Sequence, residues 1–227
     1  MKPDQLEDSR YQQADYCQIR AEENVLLSHL KYFLGNKSQT PSLLDLGCGS
    51  GLITKNISDM GFKVKGIDFS PVAVQKAKNN GIEAVVANLD EGIAEPDASW
   101  DIVLASDIIE HIFDPISVIK EAARVIKPNG HLLITIPNDV SIMVRLKTLL
   151  GISHQEIMYK RSGFYKHHTF FTKRLLEFML TLADLSIIKQ NRVTNLGHKK
   201  QLTNPSLPLL FTNTLVVVAQ KKSDNHL

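Results

Sequence analysis

Cysteine is scarce in this chain. Cys17 and Cys48, in 227 residues, supply neither a disulfide framework nor a cysteine metal cluster. A reducing cytoplasm is therefore the expected setting. Long apolar runs are also missing. The longest, LPLLF and TLVVVA, fall far short of the roughly 20 residues that a membrane span requires. The opening residues MKPDQLEDSR are polar and acidic, which argues against a signal peptide. No internal repeat and no low-complexity tract is visible. An excess of one charge sign is lacking too. The formal net charge is +2, too small to argue for wholesale nucleic-acid binding. The charge is unevenly placed, however, because residues 139–201 hold eleven Lys/Arg against four Asp/Glu. Such a segment either attracts an anionic partner or is simply a solvated face.

What is present reads as one sizeable domain. Residues 12–34 have helical spacing and end at Gly35-Asn36. An alternation of strands and helices follows. LLDL predicts a buried strand, and residues 52–60 a helix closed by Gly61. KVKGID predicts the second strand. Ser70-Pro71 predicts the cap and first turn of a helix running to Asn79. EAVVAN and DIVLAS predict the third and fourth strands. Asp114-Pro115 opens a helix through Ile126, and GHLLITIP, after the turn KPNG, predicts the fifth strand. Apolar runs without alternation suit strands buried on both faces, and short crossovers make them parallel. After Pro137 the rhythm breaks. A basic stretch follows with one helix, VSIMVRLKTLLG, then a helix over 172–183, then two more strands, LSIIKQNRV and FTNTLVVVAQ. The expected fold is α/β: a doubly wound, seven-stranded, mostly parallel sheet with an insertion after the fifth strand. Its expected parts are an N-terminal helical lid (1–40), a ligand-binding half (41–138), a cap (139–168), and a C-terminal helix with the last strands (169–227).

The segment Ser42–Leu52, SLLDLGCGSGL, places three glycines one residue apart after a buried strand. In open parallel sheets ligands bind beyond the carboxyl ends of strands, and glycines there let backbone amides approach a ligand. A dinucleotide fingerprint, G-x-G-x-x-G, would need glycine at position 52, which is leucine. That weakens a nicotinamide-dependent oxidoreductase, as does the lack of a Tyr-Lys or Ser pair in SDIIEH. The pattern present, acid-x-G-x-G-x-G, resembles the first motif of the class I S-adenosylmethionine (SAM) methyltransferases. The stretches KGIDFS, VVANLDEGIAEPDASWDIVLASDIIEHIFDP, VIKPNGHLLITIPN and HHTFFTKRLLEFM are similar, in order, to further segments of that superfamily. The last resembles a branch that acts on small molecules, quinones and glycan-related substrates.

The resemblance implies SAM as cofactor and assigns roles by position. Asp45 would engage the methionine amino group. Gly47, Gly49 and Gly51 would allow close backbone approach. Asp68 would hold the ribose hydroxyls, and Phe69 would pack on the adenine edge. Asn88 and Leu89 would meet the adenine, with Asp90 as a substitute because many relatives carry Asp where this chain has Asn88. Ala105 and Ser106 would border the methionine and sulfonium. Blander readings stand beside these: Asp45 capping the next helix, Gly47 only making a turn, and Cys48 only packing.

For a hydroxyl acceptor a base near the sulfonium helps, and histidine titrates near neutrality. The candidates are His111, His167 and His168. Asp107, Glu110 and His111 fall within about one helical turn. With His167 they resemble the E-x-x-E-H set of metal-assisted O-methyltransferases, with Asp107 one methylene short. A metal-free pocket wall is the competing and preferred reading, so the metal stays open. In the cap, Met143, Leu146, Leu149, Leu150, Met158, Phe164 and Tyr165 form either an apolar wall or, more simply, the cap's own core. Arg145, Lys147, Lys160, Arg161 and Lys166 suit an anionic small molecule. The expected function is methyl transfer to an oxygen of a sugar, glycan precursor, quinone or phenolic. The alternatives are a non-catalytic SAM-binding protein and a nucleic-acid 2′-O-methyltransferase. Oligomeric state is not legible.

Overall fold

A computed structural model describes residues 21–34, 40–153, 156, 167–195, 201–204, 206 and 208–222. Eight strands form one sheet: β1 (Ser42–Leu46), β2 (Lys63–Asp68), β3 (Ala84–Val86), β4 (Trp100–Ser106), β5 (Ile126–Pro137), β6 (Leu185–Asn195), β7 (Gln201–Thr203) and β8 (Thr214–Lys221). Their spatial order is β3-β2-β1-β4-β5-β8-β6-β7. The first five run parallel, and β8 inserts antiparallel between β5 and β6. This is the expected doubly wound sheet. Its unforeseen member, the three-residue β7, folds back on the end of β6.

The helices are α1 (Ala21–Leu34), α2 (Leu52–Asp59), α3 (Pro71–Asn79), α4 (Pro115–Val125), α5 (Ile142–Leu149) and α6 (Lys173–Leu182). Local chemistry sets their starts. The Ser70, Asp114 and Thr172 side chains each accept a hydrogen bond from the amide three residues on. Pro71 and Pro115 occupy the first turn, where no amide is needed.

Side-chain alternation divides the core between the two faces of the sheet. Leu44, Leu46, Val103, Leu132 and Val217 pack with Val118 and Ile119 of α4 and Leu176 and Leu180 of α6. Leu43, Ile102, Leu104, Leu133 and Val216 pack with Leu26 and Leu30 of α1 and Ile57 of α2. The described part of α1 is thus a core-packing helix. The residues before 21, Tyr11 and Tyr16 included, lie outside the described residues.

The structure departs from expectation in three places. The third strand shrinks to Ala84–Val86 because Asn88 turns to cap a 3₁₀ turn, Leu89–Glu91. The fifth strand begins at Ile126 and runs through KPNG, where Asn129 takes a φ of 61° and the register against β4 shifts. In the insertion, α5 buries none of its residues, and Met143, Leu146, Leu149 and Leu150 are exposed, so they form no core of a cap. Met158, Lys160, Arg161, Phe164, Tyr165 and Lys166 lie outside the described residues.

The chain leaves β1 toward β2 on one side and returns to β4 on the other. The sheet therefore changes winding direction between β1 and β4, where a crevice opens at the carboxyl ends.

Candidate functional site

At that crevice all three glycines of the corner have left-handed backbones, with φ of 72° at Gly47, 54° at Gly49 and 75° at Gly51. A Cβ on Gly47 would lie 2.7 Å from Cγ1 of Ile108, and one on Gly51 would lie 2.9 Å from Cβ of Ala77. Both conformation and space therefore demand glycine. The amides of Gly47 and Cys48 donate to the Ile67 carbonyl at 2.8 and 3.0 Å, tying the corner to the end of β2. Asp68 completes the tie. One carboxylate oxygen accepts from the Gly49 amide at 2.7 Å and the other from the Ser70 amide at 2.9 Å.

Asp45 is buried one strand away. It caps no helix, since the N-cap position of α2 is Gly51 and no side chain caps it. Its Oδ2 accepts from the Thr54 hydroxyl at 2.6 Å. Burial, opposed by that hydrogen bond and reinforced by the charges of Asp68 and Glu23, pushes its carboxyl up to about 7. Glu22 and Glu23, at the start of α1, are themselves buried. Cys48 packs against Gly66, and burial raises its thiol pKa far above neutrality, so it has no nucleophilic character.

On the adenine side of the expected pocket, Phe69 is half-exposed and Leu89 is buried. The Asn88 side chain is turned inward on its own loop. Its oxygen accepts from the Asp90 amide at 3.1 Å, and its nitrogen donates to Glu91 at 3.3 Å. Asp90 has another task too, accepting from the Phe113 amide at 3.0 Å. It ties the turn at 89–91 to the loop after β4, which counts against it as a substitute adenine contact.

That loop carries the titratable groups. The Ser106 hydroxyl lies 3.1 Å from that of Thr135. Asp107 has a φ of 48°, and its amide and carboxylate both engage the Thr135 hydroxyl at 2.9 Å. The following turn, Ile109–His111, is 3₁₀ rather than α-helical. The expected helical face of Asp107, Glu110 and His111 therefore does not form, and Asp107 drops out of the cluster. Among the described residues the group that comes together is Glu110, His111 and His167, whose ligand-type atoms all lie within 4.8 Å of one another. The rings of His111 and His167 meet edge to face at 4.9 Å.

His167 is brought there by the segment before α6. The amide of His168 donates to the Glu110 carbonyl at 2.8 Å, and that of Phe171 to Asp139 Oδ2 at 2.7 Å. His168 itself stacks on Phe113 at 4.3 Å, beside the cluster rather than in it. Thr54, Thr135, Phe113 and Asp139 were not singled out from the sequence. Only Phe113, an aromatic two residues beyond His111, left a visible signal there.

Residues 18–190 match the methyltransferase domain family. The chain belongs to that family. Curated relatives of this methyltransferase include the ubiquinone biosynthesis O-methyltransferase of Xanthomonas oryzae pv. oryzae, 33% identical over 102 residues, 42% of this chain and 43% of that protein. The protein of the same name from Aliivibrio fischeri is 26% identical over 187 residues, covering 80% and 75% of the two chains. The match thus spans less than half the length of the Xanthomonas relative. A SAM-dependent methyltransferase from Methanosarcina mazei shares the fold with a TM-score of 0.63 at 23% identity, covering 85% of this chain and 98% of that one. Magnesium protoporphyrin IX methyltransferase from Synechocystis, solved with bound SAH, shares it with a TM-score of 0.63 at 14% identity, covering 90% and 89%. No helix among the described residues of this methyltransferase is long and apolar enough to cross a membrane.

Proposed function

We propose that this methyltransferase transfers the methyl group of SAM to an oxygen of a small molecule. One observation carries the reading: Ile108, on the loop that leads from β4 to His111, packs against the open face of Gly47. The glycine corner and the titratable cluster are therefore adjacent parts of one crevice. The corner suits a donor with cationic sulfur. Asp68 lies at the end of β2, where a carboxylate oxygen can accept more than one hydrogen bond, and would hold the ribose hydroxyls. Asp45 would face the methionine ammonium, and binding of that cation would draw its carboxyl into the ionised form. Gly49 and Gly51 would admit the donor to the backbone. Phe69 and Leu89 would flank the adenine, with Asn88 shaping that turn, and Ser106 would border the sulfonium.

His111 and His167 would receive the acceptor's proton as it attacks in line, with His168 and Phe113 walling the acceptor. The donor set of Glu110, His111 and His167, one carboxylate and two imidazoles in mutual reach, also fits a divalent cation. Such an ion would lower the pKa of an acceptor hydroxyl. The names of the curated relatives direct the choice of acceptor to phenolic precursors of a quinone. The proposed setting is the cytoplasm, where the free Cys48 thiol stays reduced.

Isothermal titration with SAM tests the donor site, and transfer of radiolabelled methyl to dihydroxybenzoate-type acceptors, with and without chelator, tests the chemistry. No heat with SAM in a folded sample removes the whole reading. Binding without transfer to any oxygen acceptor removes the second half alone.

A further inference from the structure

Thr54 lies in the first turn of α2, fully buried, and its hydroxyl does not bond its own helix. A threonine on a helix can turn its hydroxyl back to the carbonyl three or four residues earlier. Both carbonyls in that reach already have donors. That of Ser50 accepts from Nδ2 of Asn80 at 3.0 Å, and that of Gly51 from the Lys55 amide at 2.8 Å. The Thr54 hydroxyl instead crosses to β1 and donates to Oδ2 of Asp45 at 2.6 Å.

The surroundings of Asp45 give that bond its weight. Strand alternation puts Asp45 on the face of Leu43, which packs with α1 and α2. Its partners in register, Gly66 of β2 and Leu104 of β4, carry no charge. Burial opposes its ionised form, and so do Asp68 from the end of β2 and Glu23 from α1. The Cys48 thiol in the corner is neutral. Among the described residues, the Thr54 hydroxyl is the group that favours the carboxylate.

We infer that Thr54 is a positioning residue for the donor: by holding Oδ2 of Asp45 it keeps that carboxylate in the orientation and charge state that receive the methionine ammonium. This rests on the reading of Asp45 under the proposed function and adds to it the helix residue on which that contact depends. With Oδ2 fixed by α2, Oδ1 is left for the cation, and the carboxylate is ordered before the ligand arrives. A merely structural threonine would change the melting midpoint without moving the pH dependence of SAM binding.

The test is isothermal titration of the full chain with SAM between pH 5.5 and 8, on wild type and on Thr54→Val, Thr54→Ala and Thr54→Ser. Valine keeps the shape of threonine and loses the hydroxyl. Alanine cannot crowd the turn, so agreement between the two separates the hydroxyl from packing. Both should bind SAM about tenfold more weakly at pH 7, and the rise of affinity with pH should move upward by about one pH unit, as loss of a hydrogen bond to a carboxylate requires. Thr54→Ser should return both quantities to wild type. In an Asp45→Asn background, Thr54→Val should no longer move the profile, because no carboxylate is left to hold. Valine and alanine variants with wild-type affinity and profile overturn the inference and leave the donor reading standing. So does a loss of affinity that is equal at every pH and not recovered by serine, and so does a shift that persists in the Asp45→Asn background. Wild type that gives no heat with SAM removes the donor reading itself, and the inference with it.

Discussion

Replacing Asp45 by Asn should stabilise the ligand-free protein and weaken its hold on SAM, and both effects should grow with pH. Asp45 is only 3% exposed and its carboxyl is pushed from an ordinary 3.8 up to about 7. A carboxyl raised in the folded state binds its proton more tightly there than in the unfolded chain. The stability it contributes is complete below pH 3.8 and is lost as pH rises through 7. At 1.36 kcal/mol per pH unit, that interval is worth about 4 kcal/mol. Asn carries no charge at any pH, and its oxygen can still accept from Thr54. The melting midpoint of Asp45→Asn minus that of wild type should therefore increase between pH 5 and pH 8. For a chain of this size 4 kcal/mol is an upper bound of about 10 °C. Subtracting the two proteins at each pH cancels the groups they share. SAM affinity should move the other way. Wild type should bind more tightly as pH rises and Asp45 ionises, and Asn, lacking the charge, should bind about tenfold more weakly at pH 8. A midpoint difference that stays flat from pH 5 to 8 refutes the buried-charge argument. An Asn variant with wild-type SAM affinity at pH 8 refutes the assignment of Asp45 to the donor.

Gly47→Ala places a Cβ at a φ of 72° and 2.7 Å from Ile108, so it should cost about 2–4 kcal/mol in urea unfolding. Adding Ile108→Ala should return the part due to the clash but not the part due to φ, and a fully additive double variant would show that the two residues do not touch in solution. Thr135→Val removes the hydroxyl that binds Ser106 and Asp107, at a cost of about 1–3 kcal/mol, while Thr135→Ser should restore both stability and methyl transfer. Equal behaviour of the Val and Ser variants would mean that the hydroxyl does not hold the loop.

The sheet was legible because its central strands are buried on both faces. Leu43, Leu44 and Leu46, like Ile102, Val103 and Leu104, are divided between opposite core clusters yet are all apolar, so each strand reads as an apolar run, broken in β1 only by Asp45. The helix starts were legible because Ser70-Pro71 and Asp114-Pro115 act locally. Features that depend on tertiary contact were not. KPNG carries the signature of a free turn, yet Gly130 lies against the Asp101 carbonyl and the segment joins β5 as an irregular extension. The short polar β7 exists only because the end of β6 offers it a partner.

The same division runs through the site. The glycines, Asp45 and Asp68 stand out in sequence because they lie at or beside strand ends, where local pattern alone places them. The spacing of Asp107, Glu110 and His111 misled because it assumed an α-helix. One hydroxyl, that of Thr135 on the neighbouring strand, holds Asp107 in a left-handed conformation. The chain therefore leaves β4 in a direction that a helix start would not take, and the next turn tightens to 3₁₀. That turn aims Glu110 and His111 at His167, which is 56 positions beyond His111 and held by the Glu110 carbonyl and Asp139. Ile108 can lie flat on the corner only because Gly47 has no side chain. The missing Cβ thus lets the loop after β4 close against the glycine corner, which under the proposed function brings the donor and acceptor sides of the crevice together. A substitution there should damage donor binding and the histidine cluster together, although Gly47 and His167 lie far apart in sequence.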